Sequence, residues 1–388
     1  MIYLDNAATT PISTSVLEAM MPYLMTSCGN PYSIHTAGRN AKAAVENARA
    51  QVAAFLNASP EQIIFTSGGS EANSLAITGV LPYLKNIGKP CIVLSATEHP
   101  SVISASTSGY AETMGFSHAF IQPNDNGEIR PKSVRSVLEE RKDVGLVSVM
   151  FINNEVGTVN DVFEIAQICR EKGVLFHTDC VQAAAEIESL DVKMIGCDFM
   201  SISSHKICGP KGVGALYVKD KSLLTPIISG SDAQESGLRG GTPDVAGIVG
   251  FGKACELMMQ NDYRYTKPFE LKMDFFRRII GQMERIEQRM FYNGQNPYGG
   301  GRILNLGFPG IDAQTLVLTL SSLGVCISAG SACNGEINKP SRTLTAMGLS
   351  EEDALSSVRI SFSHNNTEAE IEQAVRDFVR AIQTLKNK

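Results

Sequence analysis

Between Ala37 and Val218, short β-rich apolar runs alternate with amphipathic helical patterns, and this alternation constrains the fold more than any other feature of the chain. The runs are Ile63–Phe65, Cys91–Leu94, Leu146–Phe151, Val174–Phe176 and Phe199–Ser203. Strands that are apolar along their whole length are buried on both faces, as in a parallel sheet. Helical patterns at Ala37–Leu56, Ser101–Met114, Pro131–Arg141 and Val162–Lys172, with one running toward Leu84, supply the cover. The alternation predicts an α/β domain with a mostly parallel sheet and helices on both sides. After Gly252 the character changes to a long charged helical stretch, Leu257–Gln288, and a Gly/Asn/Pro-rich loop, Asn293–Gly301. Arg302–Phe308, Ala313–Leu323, Val325–Ser328, Ser357–Phe362 and Glu368–Leu385 then read as strand, helix, strand, strand and helix, a smaller α+β unit.

The formal net charge is −6, with no Lys/Arg cluster interleaved with aromatics, which argues against direct nucleic-acid binding. No apolar run approaches the roughly 20 residues that span a bilayer. Met1–Thr10 has neither the charged nor the apolar region of a secretory signal, and it is not Arg-rich, so a cytoplasmic protein without membrane contact is expected. Nine cysteines (Cys28, Cys91, Cys169, Cys180, Cys197, Cys208, Cys255, Cys326 and Cys333) include no C-x-x-C pair, and no metal site is expected. In a reducing compartment such thiols are mostly buried small hydrophobes. A chemically active one must be distinguished by its neighbours.

Three motifs fall where strands end, the place where open α/β sheets hold ligands. Thr66-Ser67-Gly68-Gly69-Ser70-Glu71-Ala72-Asn73 opens a helix, and backbone N–H groups there can bind an anion. By itself such a turn is more often simply a capped helix start. Phe176-His177-Thr178-Asp179-Cys180-Val181-Gln182 puts an acid at the end of a buried strand. That carboxylate needs a partner, and a protonated pyridine nitrogen or the start of the next helix would each serve. Ser201–Gly212 places Ser203, His205 and Lys206 before a Gly/Pro turn, a setting suited to a lysine that holds a carbonyl cofactor covalently. Lys211 is the alternative, but it lies inside the turn. The order of anion turn, acid and lysine resembles the fold-type-I pyridoxal-phosphate (PLP) enzymes.

Within that superfamily the chain is similar to the cysteine desulfurases of the NifS/IscS group, nearly end to end. The matching motifs are Tyr3–Thr10, Gly29-Asn30-Pro31, Thr97-Glu98-His99, Asn153–Gly157, Ser203–Gly212, Arg239–Thr242 and Gly330-Ser331-Ala332-Cys333. The resemblance implies a seven-stranded large domain over 15–256. Residues 1–14 and 257–388 would form a small domain carrying a mobile cysteine loop at about 329–340. It implies that Lys206 holds PLP and shuttles protons, Asp179 pairs with the pyridine nitrogen, and Gln182 hydrogen-bonds the ring hydroxyl. His99 would stack on the ring and assist proton transfer. Gly69, Ser70, Ser203 and His205 would hold the phosphate, joined by Thr242 from the second subunit of a homodimer. Asn154 and Arg359 would bind the carboxylate of L-cysteine, and Asn154 would also contact the cofactor.

Cys333 would accept the sulfur and pass it to an acceptor protein serving iron–sulfur assembly, tRNA thiolation or DNA phosphorothioation. Its surroundings, Gly330–Gly335, are small and polar, which suits an exposed thiol rather than a packed one. Arg359 lies in the alternating stretch Ser357–Phe362 and could grip a carboxylate or form a salt bridge. Three departures stand out. Ser204 replaces the family's usual Gly, Asn334–Pro340 replaces a Thr/Ser-rich continuation, and Ser231–Ser236 replaces a triple-glycine, Gln/His-Glu-Arg segment. Another PLP lyase or aminotransferase, or a non-catalytic partner-binding scaffold, are the competing expectations.

Overall fold

The computed structural model describes residues 1–260, 263–295, 301–330 and 339–386. Its centre is a seven-stranded sheet in the spatial order Ile63–Thr66, Gly214–Val218, Phe199–Ser203, Leu175–Asp179, Val144–Ser148, Cys91–Ser95 and Ser117–Ile121. Gly214–Val218 runs antiparallel to both its neighbours, and every other pair is parallel. The α/β architecture expected from the alternation is therefore present. Six strands are almost wholly buried, because helices cover both faces.

Side chains alternate between the faces. Val93, Val147, Phe176, Met200 and Ile202 pack with Val45, Val52 and Phe251. Ile92, Leu94, Leu146, Phe199 and Leu216 pack with Leu75 and Ile77 on the other side. A third core joins Leu4, Phe275, Leu304, Leu316, Val358, Ile360 and Phe378. It is built on the antiparallel strands Phe291–Asn293, Ile303–Gly307 and Ser357–Ser361 and the helices Tyr263–Arg285, Ala313–Ser322 and Glu368–Lys386. Ile2–Tyr3 pairs with Val325–Cys326, so the first residues pack with the C-terminal ones.

Several elements differ from the sequence reading. Val149–Phe151 extends beyond the strand Val144–Ser148 as a loop beside the site. The stretch 101–114 divides into Pro100–Ser106 and Gly109–Thr113, because the Ser108 hydroxyl accepts from the Ala111 N–H and starts a new helix. The helix running toward Leu84 divides at Val80, with Pro82 in the first turn of Leu81–Asn86. The charged stretch after Gly252 is the end of one helix, Val245–Met259, and all of another, Tyr263–Arg285. The glycine-rich start of Val245–Met259 reads poorly as helix, yet its glycines are packing surfaces. A Cβ on Gly250 would sit 2.6 Å from Met20 Sδ, and one on Gly252 would sit 2.7 Å from Ala48 Cα.

One edge of the sheet gathers the C-terminal ends Thr66, Ser95, Ser148, Asp179 and Ser203. The loops leaving those ends carry Gly69, His99, Asn154, Gln182 and Lys206. A long strip of sequence is thereby folded onto one ledge.

Candidate active site

A cavity of about 210 Å³ lies on that ledge. Gly69, Ser70, His99, Asn154, Asp179, Gln182, Ser203, His205, Lys206 and Arg359 all line it. Thr242 does not. It is exposed on this chain, outside the cavity. Cys333 lies outside the described residues. Lys211 is exposed and does not line the cavity, so the lysine inside it is Lys206.

Lys206 lies in the one-turn helix Ser204–Lys206, directly after the buried strand Phe199–Ser203. Its Nζ donates to the carbonyl oxygens of Ala7 (2.5 Å) and Ala8 (2.8 Å). Those carbonyls belong to the N-terminal segment, which is tied down on two sides. Thr10 N–H and Oγ1 donate to the His205 carbonyl, and the Cys208 N–H donates to Thr10 Oγ1. On the other side, Asn6 Nδ2 donates to the Ser361 carbonyl and Ala7 N–H to Ser361 Oγ. The motif Tyr3–Thr10 is thus the segment that presents backbone carbonyls to Lys206.

Asp179 ends its strand, 4% exposed. Its Oδ1 accepts from the Val181 N–H (2.9 Å), the local cap anticipated as the plainer alternative. Its Oδ2 accepts from Asn73 Nδ2 (2.7 Å). Asn73 spends its second N–H on Ser101 Oγ (3.0 Å), which lies 2.7 Å from His99 Nδ1. The Ser101 N–H also donates to His99 Nδ1, so in the neutral ring that nitrogen keeps its lone pair and the proton sits on Nε2. Asn73 and Ser101 were not anticipated as site residues. The signal was present for Asn73, which follows Gly69 by four positions on one helix and so shares its face.

Two buried acids stand behind the ledge. The Glu98 side chain accepts from the Met150 N–H (2.7 Å), while Arg342 donates to its backbone carbonyl. Burial pushes its carboxyl well above the usual range, partly opposed by the Met150 contact. Glu155 is raised by burial as well, with Ser341 and Arg359 opposing. His205 shifts the other way. Burial, then the charges of Lys206, Lys211 and Arg302, pull its imidazole from 6.5 to about 4, so it is neutral at pH 7.

Arg359 is 2% exposed in the strand Ser357–Ser361. Its Nη1 donates to the Asn154 carbonyl (2.8 Å) and its Nη2 to Asp5 Oδ1 (2.9 Å), while its buried Nε has no hydrogen-bond partner. Both anticipated roles meet here, a salt bridge and a guanidinium edge at the cavity. Ser328 and Arg359 exchange both backbone hydrogen bonds, which seats residues 328–330 beside that arginine. Of the departures, Ser204 is fully buried with Oγ unpartnered, and a Cβ on Gly209 would sit 2.0 Å from it. In the Ser231–Ser236 segment, Glu235 receives Arg49 at 2.8 and 2.7 Å and the Phe65 N–H at 2.8 Å, while Ser236 adopts φ 59°.

The aminotransferase class-V family matches residues 2–374. A cysteine desulfurase IscS from Dictyoglomus turgidum is 37% identical over 386 residues, covering 99% of this chain and 95% of that protein. Among solved structures, a NifS-like protein aligns with a TM-score of 0.87 at 29% identity, covering 99% of each chain. A protein solved as SspA in complex with cysteine aligns with a TM-score of 0.80 at 34% identity, covering 95% of this chain and 100% of its own. With the sheet order and the ledge of strand ends, these matches make the chain a member of the aminotransferase class-V family, similar throughout its length to cysteine desulfurases.

Proposed function

We propose that this protein is a PLP-dependent cysteine desulfurase, converting L-cysteine to L-alanine and leaving a persulfide on Cys333. The observation that carries the reading is the convergence of Lys206, Asp179, Gln182 and His99, from separate strand ends, in one cavity. A phosphate-bearing cofactor fits the residues present. The helix Gly69–Gly79 begins without a side-chain cap, leaving its first N–H groups for an anion. A Cβ on Gly69 would sit 2.7 Å from Val181 Cγ2, and Ser203 Oγ is buried without a partner. These are features of a cradle short of one acceptor.

Bound there, the cofactor supplies an electron sink for the substrate Cα. The chain's own residues do the rest. Lys206 holds the cofactor covalently and moves the Cα proton. Asp179, fixed by Asn73 and Val181 N–H, keeps the pyridine nitrogen protonated, and Gln182 donates to the ring oxygen. His99 would lie against the ring and relay protons. Gly69, Ser70, Ser203 and His205 hold the phosphate, with Thr242 arriving from the partner subunit of a homodimer. Arg359, whose buried Nε–H has no hydrogen-bond partner, and Asn154 hold the substrate carboxylate.

Cys333 as thiolate attacks the substrate sulfur. The Cβ–S bond breaks, its electron pair stays on carbon and is protonated to alanine, and the sulfur remains on Cys333 until a sulfur-acceptor protein takes it. Residues 15–256 form the large unit in this reading, and 1–14 with 257–388 form the small one that carries the cysteine loop. The protein works in the cytoplasm. Among the described residues no helix is long and apolar enough to cross a membrane.

The test is Cys333→Ser in the PLP-loaded protein. Serine keeps the size and loses the nucleophile. The variant should keep the visible band of the bound cofactor and make no alanine from L-cysteine, with no persulfide by mass spectrometry. Alanine production at the unmodified rate would overturn the sulfur relay.

A further inference from the structure

Arg302 is 4% exposed, comes from the C-terminal core, and points its guanidinium at residues of the other unit. Its Nη2 donates to Gln182 Oε1 (3.2 Å) and its Nη1 to the Lys206 carbonyl (3.4 Å). Gln182 Nε2 in turn donates to the Ala7 carbonyl (2.8 Å), the same oxygen that receives Lys206 Nζ. A guanidinium only donates and a carbonyl only accepts. The two contacts therefore fix the amide from both ends, oxygen toward Arg302 and nitrogen toward Ala7. One N–H of Gln182 is left, and Gln182 lines the cavity.

We propose that Arg302 is a positioning residue that locks Gln182 as a hydrogen-bond donor toward the cofactor ring oxygen and thereby favours that oxygen in its anionic form. The inference rests on the PLP reading of the cavity. An unlocked glutamine could present either end, and its oxygen would repel an anion. The locked one cannot.

The arginine is itself held. The Arg302 N–H donates to Glu186 Oε2 (3.0 Å), and its Nε lies 3.8 Å from Glu186 Oε1. A Cβ at Gly301, where φ is +95°, would sit 2.6 Å from Glu186 Oε2, so only glycine lets the backbone approach that carboxylate. Lys272 is buried next to the same acid, whose charge partly offsets the effect of burial on the ammonium. The charged and titratable groups facing Gln182 and its cavity are Lys206, His205, His99, Asp179 and Arg359. Glu186, Cys208 and His364 lie within electrostatic reach of Arg302, and Lys272 lies beside Glu186.

The experiment compares the full-length wild type with Arg302→Met and with Arg302→Met/Glu186→Gln, each titrated with PLP and followed through its visible band. Removing the lock and its cation should weaken PLP binding about tenfold, the scale of one charge-assisted hydrogen bond. It should also move the pH midpoint of the visible band upward, because loss of a nearby cation eases protonation in the cavity. The single variant also takes from the buried Glu186 one of its two neighbouring cations, leaving Lys272, and its melting temperature should fall. The double variant removes both charges, leaving Lys272 to shed its proton, and should recover part of the melting temperature while keeping the weakened binding and the shifted midpoint. If the double variant recovers PLP affinity and midpoint together with stability, Arg302 merely neutralises Glu186 and the inference is overturned. A wild type that takes up no PLP overturns the reading of the cavity instead, and this inference with it.

Discussion

A single amide, that of Asn73, divides its two protons between Asp179 and Ser101, and Ser101 touches His99. The acid and the imidazole therefore cannot drift independently, although they leave different strands. Lys206 has a comparable anchorage in the carbonyls of Ala7 and Ala8, from the N-terminal segment. Lys206→Ala should abolish the visible band of the PLP-loaded protein and alanine production from cysteine, because among the described residues no other lysine lines the cavity. A band that survived in the purified variant would mean that the linkage is made elsewhere. Lys206, Asp179 and His99 were legible in the sequence because each directly follows or ends an apolar run, and strand ends are where such folds hold ligands. Arg302 was not. A lone arginine after a glycine run reads as solvated, and only the tertiary fold reveals that Glu186 and Gln182 await it. Cys333 was read from its small polar neighbours and stands on that reading.

Among the elements, the strands that the alternation missed are instructive. Ser117–Ile121 is the sheet's edge, largely exposed, so its residues are mixed in polarity and give no apolar run. Gly214–Val218 follows a turn so closely that the apolar run looks like part of it, yet it bridges Ile63–Thr66 to the rest of the sheet. The central strands carry polar groups as well. His177 sits between Ser148 Oγ (2.8 Å) and Ser201 Oγ (3.1 Å), linking three adjacent strands through their side chains. Burial pulls its imidazole from 6.5 to about 3, so it stays neutral in the folded protein. The unfolded chain binds that proton at higher pH. Stability from this site is therefore complete above about pH 6.5 and falls by about 1.4 kcal/mol per unit as the pH drops toward about 3. Denaturant unfolding at pH 7 and pH 5 should show the wild type losing about 2 kcal/mol more than His177→Asn. Equal losses would refute the assignment.

At the scale of the whole molecule, the cavity draws on both ends of the chain, yet Thr242 lies outside it, exposed. If Thr242 completes the phosphate site of a neighbour, the protein is a dimer in solution and its cofactor affinity depends on assembly. Analytical ultracentrifugation should give twice the mass of one chain, and dilution below the dissociation range should release PLP. A monomer with undiminished PLP affinity would refute the shared site. The separate hydrophobic cluster of the C-terminal strands and helices was foreshadowed by the change of character after Gly252. The return of the first residues to the C-terminal core was not, because a two-residue strand such as Ile2–Tyr3 carries no pattern of its own.

That return has a consequence for how the protein is made. Asn6 bonds Ser361 across 355 positions, and Arg359 reaches Asp5 across 354. A ribosome adding about 5–20 residues per second would need roughly 20–70 s between delivering one partner and the other. Throughout that interval the large sheet can assemble, but Ala7 and Ala8 lack the strand that seats them over Lys206. Capture of the proposed cofactor would thereby wait until Ser357–Ser361 has emerged, so a truncated chain that ends before residue 357 should leave the ribosome folded in part and colourless.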